Sequence, residues 1–517
     1  MKKTTKLVAL AMCAVTMLNA AGCTGGKKNA SNSGEQKLTY WKPLTANISV
    51  SAKNYGELPY AQELMKRTGI EVEYIHPAMG QAGERFNLMI ASNEMPDIVE
   101  YYWSYFPGGP DKAIQDKNII ALNDVIDKHA PNLKKLLKEN PDVDRQAKTD
   151  KGFYFNFPAV TSERELRTSG GLIIRKDWLD DLGLEMPETI DEWYIVLKAF
   201  KEKKGAKAPL CIGTDAPTNG AFVGAYGILY NYYLDNDGKI KYGPAENAYK
   251  EFLKTMNKWY NEGLFDNNFS TNDAQTITAN MLNGTSGVSY GGLGGSIGAW
   301  MSAKKDDEDY DLAGAKYPVL NKGDKPLFGQ CGVIVGDACA ITTSCKNVEL
   351  AAKFLDYGYS EEGHMLNNFG IEGTSYEMKD GYPEYTELIM NNPDGLSMAA
   401  ALTKYSRAGA TGPFAQDKRY LEQYAGTERQ QNAWKNWLDT DAEKYVLPNL
   451  YILDEDKEEY ATITNSINTY VNEMYVKFIS GVEPIDNFDK YIANLKKMDI
   501  DKVIAMKERA YQNYLKR

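Results

Sequence analysis

Short apolar runs with a two-residue alternation and longer stretches with a helical apolar stripe take turns along this chain. Residues 37–41 (KLTYW) read as a strand. Residues 60–67 read as a helix closed by Gly69, 70–75 (IEVEYI) as a second strand, 84–91 as a helix and 97–101 (DIVEY) as a third strand. Strand–helix–strand order with short links predicts a parallel sheet covered by helices. In such open sheets a ligand sits beyond the carboxyl ends of the strands. Trp41 and the run Tyr101, Tyr102, Trp103 fall at two of those ends.

A second unit begins with the strand-like residues 171–175 (GLIIR). Thr189 and Glu192 stand at the spacing of a capping box, and Trp193, Val196, Leu197 and Phe200 follow on one helical face, which marks Trp193 as core. Residues 235–243 (DNDGKIKYG) carry the Asp-Gly turn of a hairpin. Residues 332–335 and 338–342 look like strands, Asn347 can cap a helix reaching 355, and 455–478 form a long helix followed by two more. Beyond its first 36 residues the chain holds about 480 residues, more than one hydrophobic core, so two or more domains are expected.

The first 23 residues change the picture most. Lys2, Lys3 and Lys6 precede a short apolar run over 7–18, and Ala20, Ala21 and Gly22 place small residues directly before Cys23. The run is shorter than the ~20 residues of a membrane span. The pattern is that of a lipoprotein signal over 1–22, with Cys23 as the lipid-bearing new N-terminus and 24–36 (TGGKKNASNSGEQ) as a flexible tether. The chain is therefore expected on the outer face of a bacterial cytoplasmic membrane, held by its anchor.

Charge and metal-ligand content narrow the function. The chain carries 59 Lys and Arg against 70 Asp and Glu, and the acid excess argues against nucleic acid as a partner. Cys211, Cys331, Cys339 and Cys345 show no CxxC spacing, so buried thiols are the simple reading and one disulfide stays open. The three histidines, His76, His129 and His364, are far apart. Residues 294–298 match G-x-S-x-G with His364 downstream, but Gly291, Gly292 and Leu293 intervene between the strand-like residues and the match, where a nucleophile elbow needs a strand running directly into its turn. Neither a metal, a cofactor nor catalysis is expected.

Four segments together resemble the family 1 extracellular solute-binding lipoproteins of bacterial carbohydrate ABC transporters, in particular the long subgroup that includes alginate-oligosaccharide binders. They are IRKDWLDDLGLEMPETIDEWYIVLKAFKEK (174–203), APNLKKLLKENPDV (130–143), FGIEGTSYEM (369–378) and FDKYIANLKKMDIDKVIAMKERAYQNYLKR (488–517). The resemblance implies an α/β, two-lobed, periplasmic-binding-protein-like fold of type II, with a ligand cleft between lobes and hinge crossovers. It implies a first lobe over 37–165 and 318–372 and a second over 166–317 and 373–517. It also implies an oligosaccharide ligand and the transmembrane subunits of a permease as partners, with the protein itself a monomer. Many members of the subgroup carry a calcium loop after the helix matching 189–203. Here that stretch is KEKKGAKAPL (201–210), which offers lysines where calcium needs oxygens. The hairpin Asp235, Asp237, Gly238 brings its glycine too early for an EF-hand loop.

Tyrosine is the compositional signal, 35 against 16 Phe, and its ring plus hydroxyl suits sugars, which offer C–H faces and hydroxyls together. The candidate contacts are Trp41, Tyr101, Tyr102 and Trp103 at the strand ends, each as compatible with core as with cleft. Tyr290 and Trp300 flank the glycine run 291–295, which the resemblance sets at the second lobe's cleft edge. Arg164 can donate to sugar oxygens or form a surface ion pair, and Glu372 can accept sugar hydroxyls or brace a crossover. The expected function is a substrate-binding lipoprotein of an ABC importer. A secreted polysaccharide hydrolase and a surface sensor or adhesin without transport are the alternatives.

Overall fold

The computed structural model describes residues 37–168, 170–213, 221–408 and 412–517. The signal, Cys23 and the tether lie outside the described residues.

The first sheet has the strand order Ala338–Ile341, Ile98–Tyr101, Lys37–Trp41, Glu71–Ile75. Its three N-terminal strands are parallel, as their alternation with helices requires, with Tyr40 opposite both Tyr74 and Ile98. The fourth strand comes from far along the chain and pairs antiparallel, Ala338 with Tyr101. Helix Pro59–Thr68 starts on a proline, which needs no N–H at that position, and stops at Gly69 with φ 67°. Helix Val348–Asp356 is capped by the Asn347 side chain, which accepts from Leu350 N. Leu38, Tyr40, Leu64, Val72, Ile98, Ile341 and Phe354 share the core between this sheet and its helices.

The second sheet is built differently from the first. Gly171–Arg175 is fully buried but lies between Val288–Gly291 and Leu312–Gly314, antiparallel to both. The residues after it go into helices and a separate hairpin, Tyr232–Leu234 with Ile240–Tyr242, before the chain returns in the opposite direction. Helix Ile190–Lys204 opens on the Thr189 and Glu192 capping box and buries Trp193, Leu197 and Phe200 in this second core. Residues 332–335 form no strand; Ile334 makes a single bridge to Val160.

The chain changes core between Val160 and Leu166, between Phe328 and Val333, and between Leu366 and Phe369. The short strands Ala159–Val160 and Phe414–Ala415 pair in parallel beside these crossings. One further segment leaves the second core to place Tyr451 among Trp41, Trp103 and Phe155. It is tied down by Lys457 Nζ donating to the Gly108 carbonyl and by Arg517, which donates from Nη1 to the Asn449 carbonyl at 3.4 Å and from Nε to Asp150 Oδ1 at 2.7 Å.

The four described cysteines are unpaired thiols, buried except for Cys331. No helix among the described residues is long and apolar enough to cross a membrane.

Candidate functional site

The carboxyl edge of the first sheet presents two different faces, because successive side chains alternate. Trp41, Val99, Tyr101 and Ala340 point to one face and pack with Phe86, Trp103 and Phe106. The Trp41 and Tyr101 rings meet edge-on at 5.7 Å, and Phe86 lies 4.6 Å from Tyr101. Trp103 stacks on Phe106, and its Nε1 donates to the Val99 carbonyl at 2.9 Å. Trp41 is 5% exposed and Trp103 1%, so both expected ring platforms are packed into the core. Tyr101 is half-buried, and Tyr102, 43% exposed, opens to solvent.

The other face carries charge. Glu100 accepts both carboxylate bonds from Arg407 Nη2 at 2.7 Å, lies 3.1 Å from Lys42 Nζ, and accepts from Tyr40 Oη. Lys42 also sits 4.1 Å over the Tyr55 ring. Burial alone would raise the Glu100 pKa, but the charges of Arg407 and Lys42 and the bonds from Tyr40 and Arg407 outweigh it and hold it down at about 2. One step beyond the last rung of the ladder, Asp337 stands opposite Tyr102. Burial and the nearby Glu100 charge push its carboxyl up to about 7 against the pull of Lys42 and Arg407. Its Oδ1 is buried with no hydrogen-bond partner among the described residues. Sequence reasoning missed this group. Its one readable signal was a glutamate and a lysine beside the strand-like runs IVEY and TYW, where charge is out of place unless paired.

On the second core's side, Tyr290 ends strand Val288–Gly291 half-buried, its ring 6.0 Å from Phe328. Phe328 in turn meets Tyr317 edge-on at 4.9 Å. Tyr290 and Phe328 border a cavity of about 420 Å³ shared with Arg167, Tyr232, Gln330 and Cys331. Two crossover segments, around 167 and 328–331, form part of its wall. Gln330 Nε2 donates to Thr168 Oγ1 at 2.9 Å, while its Oε1 is buried without a partner among the described residues, as is the Tyr232 hydroxyl. A cavity with aromatic walls and a few unsatisfied polar groups suits a ligand that is apolar on its faces and polar at its rim.

The remaining candidates are not brought together. Trp300 is 3% exposed and donates from Nε1 to Thr278 Oγ1 at 3.2 Å, so it is core. Arg164 is exposed, donates to the carbonyls of Leu438 and Thr440 at 3.1 and 2.9 Å, and lies 3.7 Å from Glu443, so it ties down a neighbouring segment. Glu372 is exposed in a turn bridged to Tyr376, with no side-chain bond across the crossover among the described residues. Ser296 lies within a π-helical turn, Leu293–Gly298, with its Oγ accepting from Gly292 N at 3.3 Å. His364 is engaged by Asp417 at 2.9 Å. A serine nucleophile needs its base within hydrogen-bond reach, and His364 serves another partner. Among the described residues no three His, Cys, Asp or Glu side chains are grouped to hold a metal ion.

The profile of the bacterial extracellular solute-binding proteins matches residues 52–365. The fructooligosaccharide ABC transporter substrate-binding protein FusA of Streptococcus pneumoniae serotype 4 (strain ATCC BAA-334 / TIGR4) is 27% identical over 95% of each chain. Lipoprotein LipO of Bacillus subtilis (strain 168) is 27% identical over 75% of this chain and 76% of its own. The crystal structure of alginate-binding protein AlgQ2 without calcium ion superposes with a TM-score of 0.73 at 25% identity, covering 92% of this chain and 98% of that one. The fold is thus the two-lobed one expected, with its two cores exchanging chain at the crossings described above.

Proposed function

The chain belongs to the bacterial extracellular solute-binding proteins, and from that premise we propose that it is the substrate-binding lipoprotein of an ABC importer that captures a neutral oligosaccharide between its lobes. The observation that carries the ligand class is the cavity beside the crossovers, with Tyr290, Phe328 and Tyr232 as rings and Gln330 as an unsatisfied acceptor. Tyr101 and Tyr102 are the first lobe's candidate contacts. Of the cations near these groups, Lys42 and Arg407 are committed to Glu100 and Arg167 to Glu443 at 2.6 Å, while Lys507 Nζ is held 4.5 Å over the Tyr232 ring. That favours an uncharged chain over a polyanion. Fructooligosaccharide and alginate are named for two of the similar proteins and mark the ligand class as oligosaccharide.

Binding would act by closure. A ligand that touches both lobes only when they are shut stabilises the shut state, which then docks on the permease. The protein acts as a monomer and releases its sugar uncleaved. We take the first lobe to start at residue 37. The change of core between Phe328 and Val333 favours beginning its inserted piece near 330 rather than 318. Cys23 is the proposed point of lipid attachment, which would keep the protein at the outer face of the cytoplasmic membrane.

A thermal-shift screen of the mature protein against neutral and acidic oligosaccharides tests the binding reading, with a neutral chain expected to raise the melting temperature. Chromatography after prolonged incubation tests the rest; shorter sugars appearing in the mixture would establish a hydrolase instead. Mass spectrometry of the native protein should find a diacylated Cys23 at its N-terminus, and a different N-terminal residue would refute the anchor.

A further inference from the structure

Resting on the oligosaccharide-binding reading above, we infer that Asp337 is a specificity-determining residue: it accepts sugar hydroxyls at the first lobe's edge and turns away chains that carry carboxylates.

Its position is the first argument. Asp337 directly precedes strand Ala338–Ile341, on the crossover that brings the chain back into the first core after Phe328. Extending the ladder by one step sets it opposite Tyr102, the exposed ring at the carboxyl edge where open sheets take their ligands. A carboxylate beside an open ring is a pairing suited to a sugar, whose C–H face lies on the ring while its hydroxyls donate to the oxygens.

Its lack of partners is the second. Oδ1 is buried and has no hydrogen-bond partner among the described residues, while the residue as a whole is only half-buried, so the carboxyl group lies just beneath a surface that solvent reaches. The charged and titratable groups around it are Glu100, Lys42, Arg407 and Tyr101. Lys42 and Arg407 are both bound to Glu100, and their pull on Asp337 does not outweigh its burial and the repulsion of Glu100. A carboxylate held without a partner lowers stability and does nothing for the fold. Groups of this kind are retained where they act on something the folded protein receives. With a carboxyl raised to about 7, Asp337 can also donate when protonated. A uronate unit at the same place would bring a second anion against Asp337 and Glu100, which two committed cations do not offset.

The folded-state pKa lies above the ordinary value, so the folded protein holds this proton more tightly than the unfolded chain. Stability associated with Asp337 is therefore present at low pH and is lost as the pH rises from about 4 to about 7. Asp337→Asn, which resembles the protonated acid, should melt like the wild type at pH 4 and several degrees higher at pH 8, with no ligand present. Oligosaccharide binding is then measured at pH 8 with neutral tri- to pentasaccharides of fructose, glucose, xylose and mannose, and with galacturonate and alginate trisaccharides. The wild type should prefer a neutral chain, and Asp337→Ala should weaken that chain at least tenfold while folding normally. Unchanged affinity in Asp337→Ala overturns the inference, as does tighter binding of a uronate chain by the wild type. A pH-independent melting difference for Asp337→Asn would overturn it too. If no oligosaccharide binds the wild type, the solute reading itself fails, and the ligand-free melting comparison still decides whether Asp337 is an uncompensated carboxylate.

Discussion

Arg407 reaches Glu100 across 307 residues of sequence and donates to both of its carboxylate oxygens at 2.7 Å. The arginine follows helix Met398–Tyr405, whose Leu402 packs in the second core, while Glu100 lies in the first sheet. The ion pair therefore joins the two cores, with Lys42 as a third member. Both partners are 3% exposed, where a charge left alone is costly.

Arg407→Ala should destabilise the protein by about 3–5 kcal/mol, the usual cost of stranding a buried charge. Arg407→Lys should recover only part, because an ammonium cannot reproduce the planar guanidinium. Urea unfolding of the three proteins measures this. A loss under 1 kcal/mol for the alanine variant would mean that Lys42 alone satisfies Glu100.

The same cluster sets an acid limit. Glu100 is held down at about 2, so the stability it contributes is complete above the ordinary glutamate range and is lost as the pH falls from about 4.5 towards 2. Glu100→Gln, though less stable at pH 7, should show a flatter decline over that window. Melting temperatures taken from pH 6 to pH 2.5 compare the two slopes, and parallel slopes would assign the acid sensitivity to other carboxylates.

Two neighbouring aromatics should behave in opposite ways. Trp103→Ala removes a core ring and should cost about 3–5 kcal/mol of stability. Tyr102→Ala should leave the melting temperature nearly unchanged and weaken oligosaccharide binding by on the order of 1–3 kcal/mol, the scale of one ring's apolar burial. Paired melting and titration experiments separate the two, and a Tyr102 variant that binds as tightly as the wild type would move the site away from this edge.

Chelation should have no effect. Lys201, Lys203, Lys204 and Lys207 occupy the stretch where oxygen ligands would be needed, and Lys204 is committed to Asp181. Melting curves with and without EDTA should coincide. A fall that calcium restores would reveal a site built from residues outside those described.

The sequence by itself determined the local elements and the family. Alternation in 70–75 and the helical stripe from Trp193 to Phe200 are short-range patterns, as are the Thr189 cap with Glu192 and the Asn347 cap, and all of them were readable because their physics is complete within a few residues. Tertiary structure decided what each element faces. Trp41, Trp103 and Trp300 read the same in sequence whether a neighbour covers them or a cleft opens there, and the covering residues, Phe86 for the first two and Thr278 for the third, arrive from other elements. The antiparallel second sheet and the inserted strand Ala338–Ile341 likewise depend on which distant segment returns. Charge shows the division most sharply. Glu100, Lys42, Asp337 and Arg407 are ordinary polar residues in the sequence. Only folding brings two cations to one carboxylate and leaves Oδ1 of the other without a hydrogen-bond partner among the described residues, because coulombic pairing in a buried site depends on distances that no local pattern encodes.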